Sequence, residues 1–145
     1  MYTVNMSGTA VLRVFQEALS LARFYESRID EVARSEKQSR ARGEVLREVG
    51  AGRTVPQIAR RMGMARQSVQ RVADLLAESR LVRFEPNPDH RRSPILRATD
   101  EGVRVRDRLD RKLRGWEEGA LELVDSDDLE TALVVLRAIR SGLER

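Results

Sequence analysis

Apolar residues Leu12, Phe15, Leu19, Ala22, Ile29 and Val32 return every three or four positions, which lays them along one side of a helix. The spacing predicts one long amphipathic helix over about 11–34. A charged connection, Glu36 to Arg42, follows it. Ser39, with Val45, Leu46 and Val49 beyond, predicts a second helix ending near Gly50-Ala51-Gly52. Thr54-Val55-Pro56-Gln57 then carries three agreeing start signals. Thr can cap, Gln three residues later can reach back, and Pro is tolerated in a first turn where its missing donor costs nothing. The third helix carries Ile58, Ala59 and Met62 inward and stops at Gly63; a fourth places Val69, Val72, Ala73 and Leu76 on one side.

The texture then changes. Leu81-Val82-Arg83-Phe84-Glu85 alternates as a strand does, and Pro86-Asn87-Pro88-Asp89 marks a turn. Pro94-Ile95-Leu96-Arg97 is a second short strand, which Pro94 confines to an edge or to its first position. Thr99 to Gly102 opens a helix with Val103, Leu109, Leu113, Trp116 and Ala120 on one face. Asp125 to Asp128 interrupts it, and a last helix carries Leu129, Leu133, Leu136, Ile139 and Leu143. The order predicts a mainly α fold: a three-helix core plus a two-stranded β wing, between long N- and C-terminal helices. At 145 residues the chain suits a single domain.

The break at Gly63 has a mechanical reading. Two helices that cross steeply through a tight turn need a small residue where their backbones approach, here Ala59. They also need a residue that accepts positive φ, here Gly63, and a branched apolar plug on the second helix, here Val69. The polar side of that second helix carries Gln67, Arg71 and Asp74, with Arg66, Ser68 and Gln70 at its first turns. Arg, Gln and Ser can bridge base edges in the major groove or hold phosphates, whereas an ordinary solvated face is richer in Glu and Lys.

Charge supports the same reading. Between Arg53 and Arg97 ten arginines face only Asp74, Glu78, Glu85 and Asp89, a balance of +6 within a chain of net charge +4. The flanking segments are near neutral or acidic, so the electropositive middle points to a polyanion partner. In the turn between the two strands, Arg91 and Arg92 stand at or near the tip of the wing, placed to enter a narrow minor groove. The candidate DNA-contacting residues are Gln67, Ser68, Gln70 and Arg71 for bases and phosphates, Arg66 and Thr54 for the backbone, and Arg91 and Arg92 for the minor groove.

From Thr54 to Gly102, TVPQIARRMGMARQSVQRVADLLAESRLVRFEPNPDHRRSPILRATDEG, the chain resembles the winged helix-turn-helix of the MarR family of transcriptional regulators. The resemblance implies one domain over 1–145, with a DNA-binding lobe at about 38–98 and dimerisation helices at about 8–35 and 99–145. It further implies a cytoplasmic, bacterial-type regulator acting as a homodimer on a pseudo-palindromic operator, released by a small aromatic or phenolic ligand. Phe24 and Trp116 lie on the implied dimerisation helices and are the candidate effector-pocket residues. Three positions depart from the family pattern. Arg80 stands where Gly is usual, Ala98 where Leu is usual, and His90 where an Asp pairs with the wing arginine, here Arg92.

Other chemistry finds little footing. The chain has no cysteine and one histidine, so neither a thiolate metal site nor a Cys/His pair can be assembled, and His90 beside Asp89 alone is no metal site. Glu117-Glu118 and Asp127-Asp128 are adjacent and point to different helix faces, which suits solvation or capping rather than acid–base work. No catalytic residue, metal site, cofactor or membrane partner is expected. The rival reading is a winged-helix protein-interaction module that never touches DNA.

Overall fold

The computed structural model describes residues 6–144. Helix α1 spans Met6–Ser35, beginning earlier than its apolar periodicity predicts. Ser39 is extended, and its hydroxyl accepts from the Arg42 N–H to start α2 (Arg40–Glu48). Thr54 starts α3 (Val55–Met62) with a reciprocal pair: its hydroxyl accepts from the Gln57 N–H, and its own N–H donates to Gln57 Oε1. Such caps satisfy donors that the first helical turn would otherwise leave orphaned, each stabilising by about 1 kcal/mol. Helix α4 spans Arg66–Glu78, α5 Asp100–Leu121 and α6 Ser126–Leu143. The mainly helical, winged-helix class expected from the sequence is the one observed.

The sheet has one strand more than the pattern announces. β1 (Arg53–Thr54) lies antiparallel to β3 (Ile95–Ala98), which also pairs with β2 (Val82–Glu85) to give the order β1-β3-β2. The register sets Thr54 opposite Ile95 and Phe84 opposite Leu96. A two-residue strand has no periodicity of its own; its partner defines it.

The backbone divides into two compact units, Met1–Leu109 and Asp110–Arg145. In the first, Leu46, Ile58, Leu76 and Leu96, with Val45, Val49 and Val69, are fully buried. Each such side chain contributes roughly 1.5–3 kcal/mol relative to exposure. They fix α2, α3, α4 and the sheet about one core, while Val11, Leu12, Phe15, Leu19, Leu21, Phe24 and Tyr25 of α1 are exposed. In the second unit, the Asp125 carboxylate accepts from the Asp127 N–H to start α6, a helix with no buried residue. The helical break expected at Asp125 to Asp128 falls over 122–125 instead, because Asp127 and Asp128 occupy α6's first turn. Acidic side chains are favoured there by the positive end of the helix dipole. Among the described residues no helix is long and apolar enough to cross a membrane.

On α5 the buried positions are Gly102, Val105, Leu109 and Leu113, whereas Val103 and Trp116 are half-buried and Ala120 is exposed. The inward line is therefore rotated from the expected one, and Gly102 sets it: a Cβ there would lie 1.8 Å from the Leu81 carbonyl oxygen. Thr99 completes the junction by donating its hydroxyl to the Arg80 carbonyl at 2.7 Å while accepting from the Gly102 N–H at 3.0 Å. Gly102→Ala is expected to force this packed junction apart, at about 1–3 kcal/mol or more. Thermal unfolding checks it, and an unchanged midpoint would contradict the close approach.

Candidate nucleic-acid interface

The corner between α3 and α4 is built by backbone conformation. Gly63 has φ 63° and ψ 30°, the left-handed region, and the Met64 N–H returns to the Ala59 carbonyl at 2.9 Å. A Cβ at Gly63 would meet nothing within 4 Å, so the angle and not the space demands glycine there. Ala59 is buried, as two closely approaching backbones require.

The corner aims α4 so that its two sides part cleanly. Val69, Ala73 and Leu76 are buried and Val72 is half-buried. Arg66, Gln67, Ser68, Gln70, Arg71 and Asp74 are all exposed. Gln67, Gln70, Arg71, Asp74, Leu75 and Glu78 line a shallow groove of about 390 Å³ along this outer side. Gln70 is tethered there, donating from Nε2 to Asp74 Oδ1 at 2.8 Å.

The ten arginines between Arg53 and Arg97 separate into two groups. Glu48 takes Arg61 at 2.6 Å and Arg53 at 3.8 Å; Glu85 takes Arg97 at 2.5 Å and Arg83 at 2.9 Å. Burial would raise the Glu85 carboxyl, but hydrogen bonds and charge from Arg83 and Arg97 outweigh it and hold the group below its ordinary value of 4.5. Its contribution is therefore present above that value and lost only as pH falls through the lowered one. Arg97 also donates to the Ala51 carbonyl, tying the sheet to the turn after α2. Among the described residues Arg60, Arg66, Arg71, Arg80, Arg91 and Arg92 form no ion pair, and all six are exposed. Of these ten, the arginines left without a carboxylate thus lie on α3, on α4 and its end, and in the wing loop.

Four of those six are candidates from the sequence; Arg60 and Arg80 are additional. Arg60 follows Gln57 at helical spacing on the outer side of α3, a signal present in the sequence. Arg80 adopts φ 58°, the conformation that a glycine takes freely, so the backbone keeps the turn although the residue differs. A side chain held there costs roughly 1–2 kcal/mol. Thr54 stands apart from the other candidates. It is buried and its hydroxyl is engaged in the α3 cap, so it reaches a partner only through the helix it starts. Phe24 is exposed, with the Arg28 guanidinium 6.0 Å from its ring centroid. Trp116 belongs to the second unit. Among the described residues no cluster of metal-ligating side chains occurs.

This geometry has counterparts among known proteins. Residues 39–93, from the cap of α2 to the wing loop, match the MarR family. An uncharacterized protein of Mycobacterium tuberculosis (strain ATCC 25618 / H37Rv) is 41% identical over 96 residues, 66% of this chain and 67% of that protein. Among solved structures, a MarR family transcription regulator superposes with a TM-score of 0.87 at 18% identity, covering 99% of this chain and 96% of that one. A mutant MarR from E. coli complexed with operator DNA gives a TM-score of 0.73 at 14% identity, covering 90% of this chain and 95% of that one.

Proposed function

The chain belongs to the MarR family, and from that premise we propose that it is a non-enzymatic transcriptional regulator that binds double-stranded DNA sequence-specifically. One observation carries the reading: of the ten arginines between Arg53 and Arg97, the six without ion-pair partners among the described residues lie on α3, on α4 and its end, and in the wing loop, where on α4 Gln67, Ser68 and Gln70 also face solvent. Phosphates neutralise such charge, and Arg and Gln are side chains that read base edges in the major groove. Gln67, Ser68, Gln70 and Arg71 contact bases and phosphates, Arg66 the backbone, and Arg91 and Arg92 the minor groove. Thr54 serves by fixing the start of α3.

The protein acts as a homodimer, with two α4 helices in successive major grooves about one helical turn, roughly 34 Å, apart on a pseudo-palindromic operator. The support is apolar surface: α6 buries nothing and exposes Leu129, Leu133, Val134, Val135 and Leu136, and α1 exposes Phe15, Leu19 and Leu21. Apolar surface of that extent on a folded chain marks an interaction site. In this reading the lobe at about 38–98 holds DNA, the helices at about 8–35 and 99–145 hold the partner, and the protein works in the cytoplasm. Release by a small aromatic or phenolic ligand belongs to the same proposal, with Phe24 in the first unit and Trp116 in the second as separate candidate residues; quenching of Trp116 fluorescence by phenolic acids tests it, and a flat response across them would contradict it.

A protein-interaction module is the rival, and the unpaired arginines weigh against it. Gel shifts on sheared genomic duplex DNA at two salt concentrations decide, because phosphate-driven affinity must fall steeply with salt while a module that ignores DNA gives no shift. On a selected operator, Arg71→Ala is expected to cost about 1–3 kcal/mol of binding if it reads a base. Equal weakening on every sequence would reduce it to a phosphate contact.

A further inference from the structure

The wing loop, residues 86–94, carries two exposed arginines in a segment with few apolar anchors. Left loose, its backbone would have to be ordered at the moment of binding, at a cost in conformational entropy. Among the described residues no ion pair steadies Arg91 or Arg92. Something else must hold the loop.

That role falls to Asn87. Its side chain is half-buried. Nδ2 donates to the Ser93 carbonyl at 2.9 Å, bridging the two ends of the loop, and Oδ1 accepts from the Asp89 N–H at 3.1 Å. The Ser93 N–H in turn donates to the His90 carbonyl at 3.0 Å, closing a tight turn around Arg91 and Arg92. One amide group therefore spans six residues and uses both its donor and its acceptor on backbone atoms, leaving the arginine side chains uncommitted.

We propose that Asn87 is the positioning residue of the wing: it holds the loop as a preformed turn, so that Arg91 and Arg92 meet their partner on an already ordered backbone. Asn87 itself touches nothing outside the protein. What the arginines meet rests on the DNA-binding reading; the strut does not. The test uses the full chain with Asn87→Ala, Asn87→Asp, the double variant Arg91→Ala/Arg92→Ala, and the combination of Asn87→Ala with that double variant.

Limited trypsin digestion reads the loop directly, since cleavage after Arg91 or Arg92 requires it to open. Asn87→Ala is expected to speed that cleavage about tenfold, equivalent to about 1.4 kcal/mol, with the thermal midpoint unchanged. Asn87→Asp, which keeps the acceptor but loses the donor, is expected to fall between Asn87→Ala and the native chain. An unchanged rate in Asn87→Ala would overturn the strut. Affinity for sheared genomic duplex DNA reads the positioning: Asn87→Ala is expected to weaken binding about three- to tenfold and to add nothing once both arginines are gone. Equal losses in the two backgrounds would overturn the positioning role. A native chain that binds no duplex, while Asn87→Ala still accelerates cleavage, would sink the DNA reading and leave the strut standing.

Discussion

A single left-handed backbone angle at Gly63 governs how this molecule presents itself. Because the chain turns there, α3 buries Ile58 and Ala59 while α4 leaves in a new direction and buries Val69, Ala73 and Leu76 in the same core. A straight continuation could not bury both sets. The side of α4 opposite its buried positions is then turned to water: Arg66, Gln67, Ser68, Gln70 and Arg71 in its first half, and Asp74, Leu75 and Glu78 beyond. Exposure of the polar side follows from core packing on the other.

Ion pairing refines what the corner exposes. Glu48 and Glu85 each draw two arginines, binding α2 to α3 and β1 in one case and β2 to β3 in the other. Exposed pairs of this kind contribute little to stability, on the order of 0–1 kcal/mol each. Their larger effect is on the field. They cancel charge around Glu48 and Glu85 and leave Arg66 and Arg71 in the first half of α4, and Arg91 and Arg92 in the wing loop, as positive parts of the lobe, a distribution that can steer a polyanion.

Local rules made much of this legible in advance. The Ser39 cap, the Thr54–Gln57 box and the turn at Gly63 each depend on residues within a few positions, and each stands where the sequence puts it. What escaped depends on residues distant in the chain. β1 exists because Leu96 and Ile95 pair with it; the face of α5 is set by the Leu81 carbonyl against Gly102; Arg97 reaches back to Ala51. Which arginines stay unpaired could not be read from a charge count, since it depends on where Glu48 and Glu85 lie in the fold. Asn87 shows the same limit, because Pro-Asn-Pro announces a turn and says nothing of the bond to Ser93.

The central question is whether Arg66, Arg71, Arg91 and Arg92 are the arginines that meet DNA. Amide NMR shifts recorded while duplex DNA is added to the full chain report this residue by residue. The account predicts movement concentrated at 66–71 and at Arg91 and Arg92, with Arg53, Arg61, Arg83 and Arg97 nearly still. Shifts centred on those four paired arginines, or spread along α1, would contradict it.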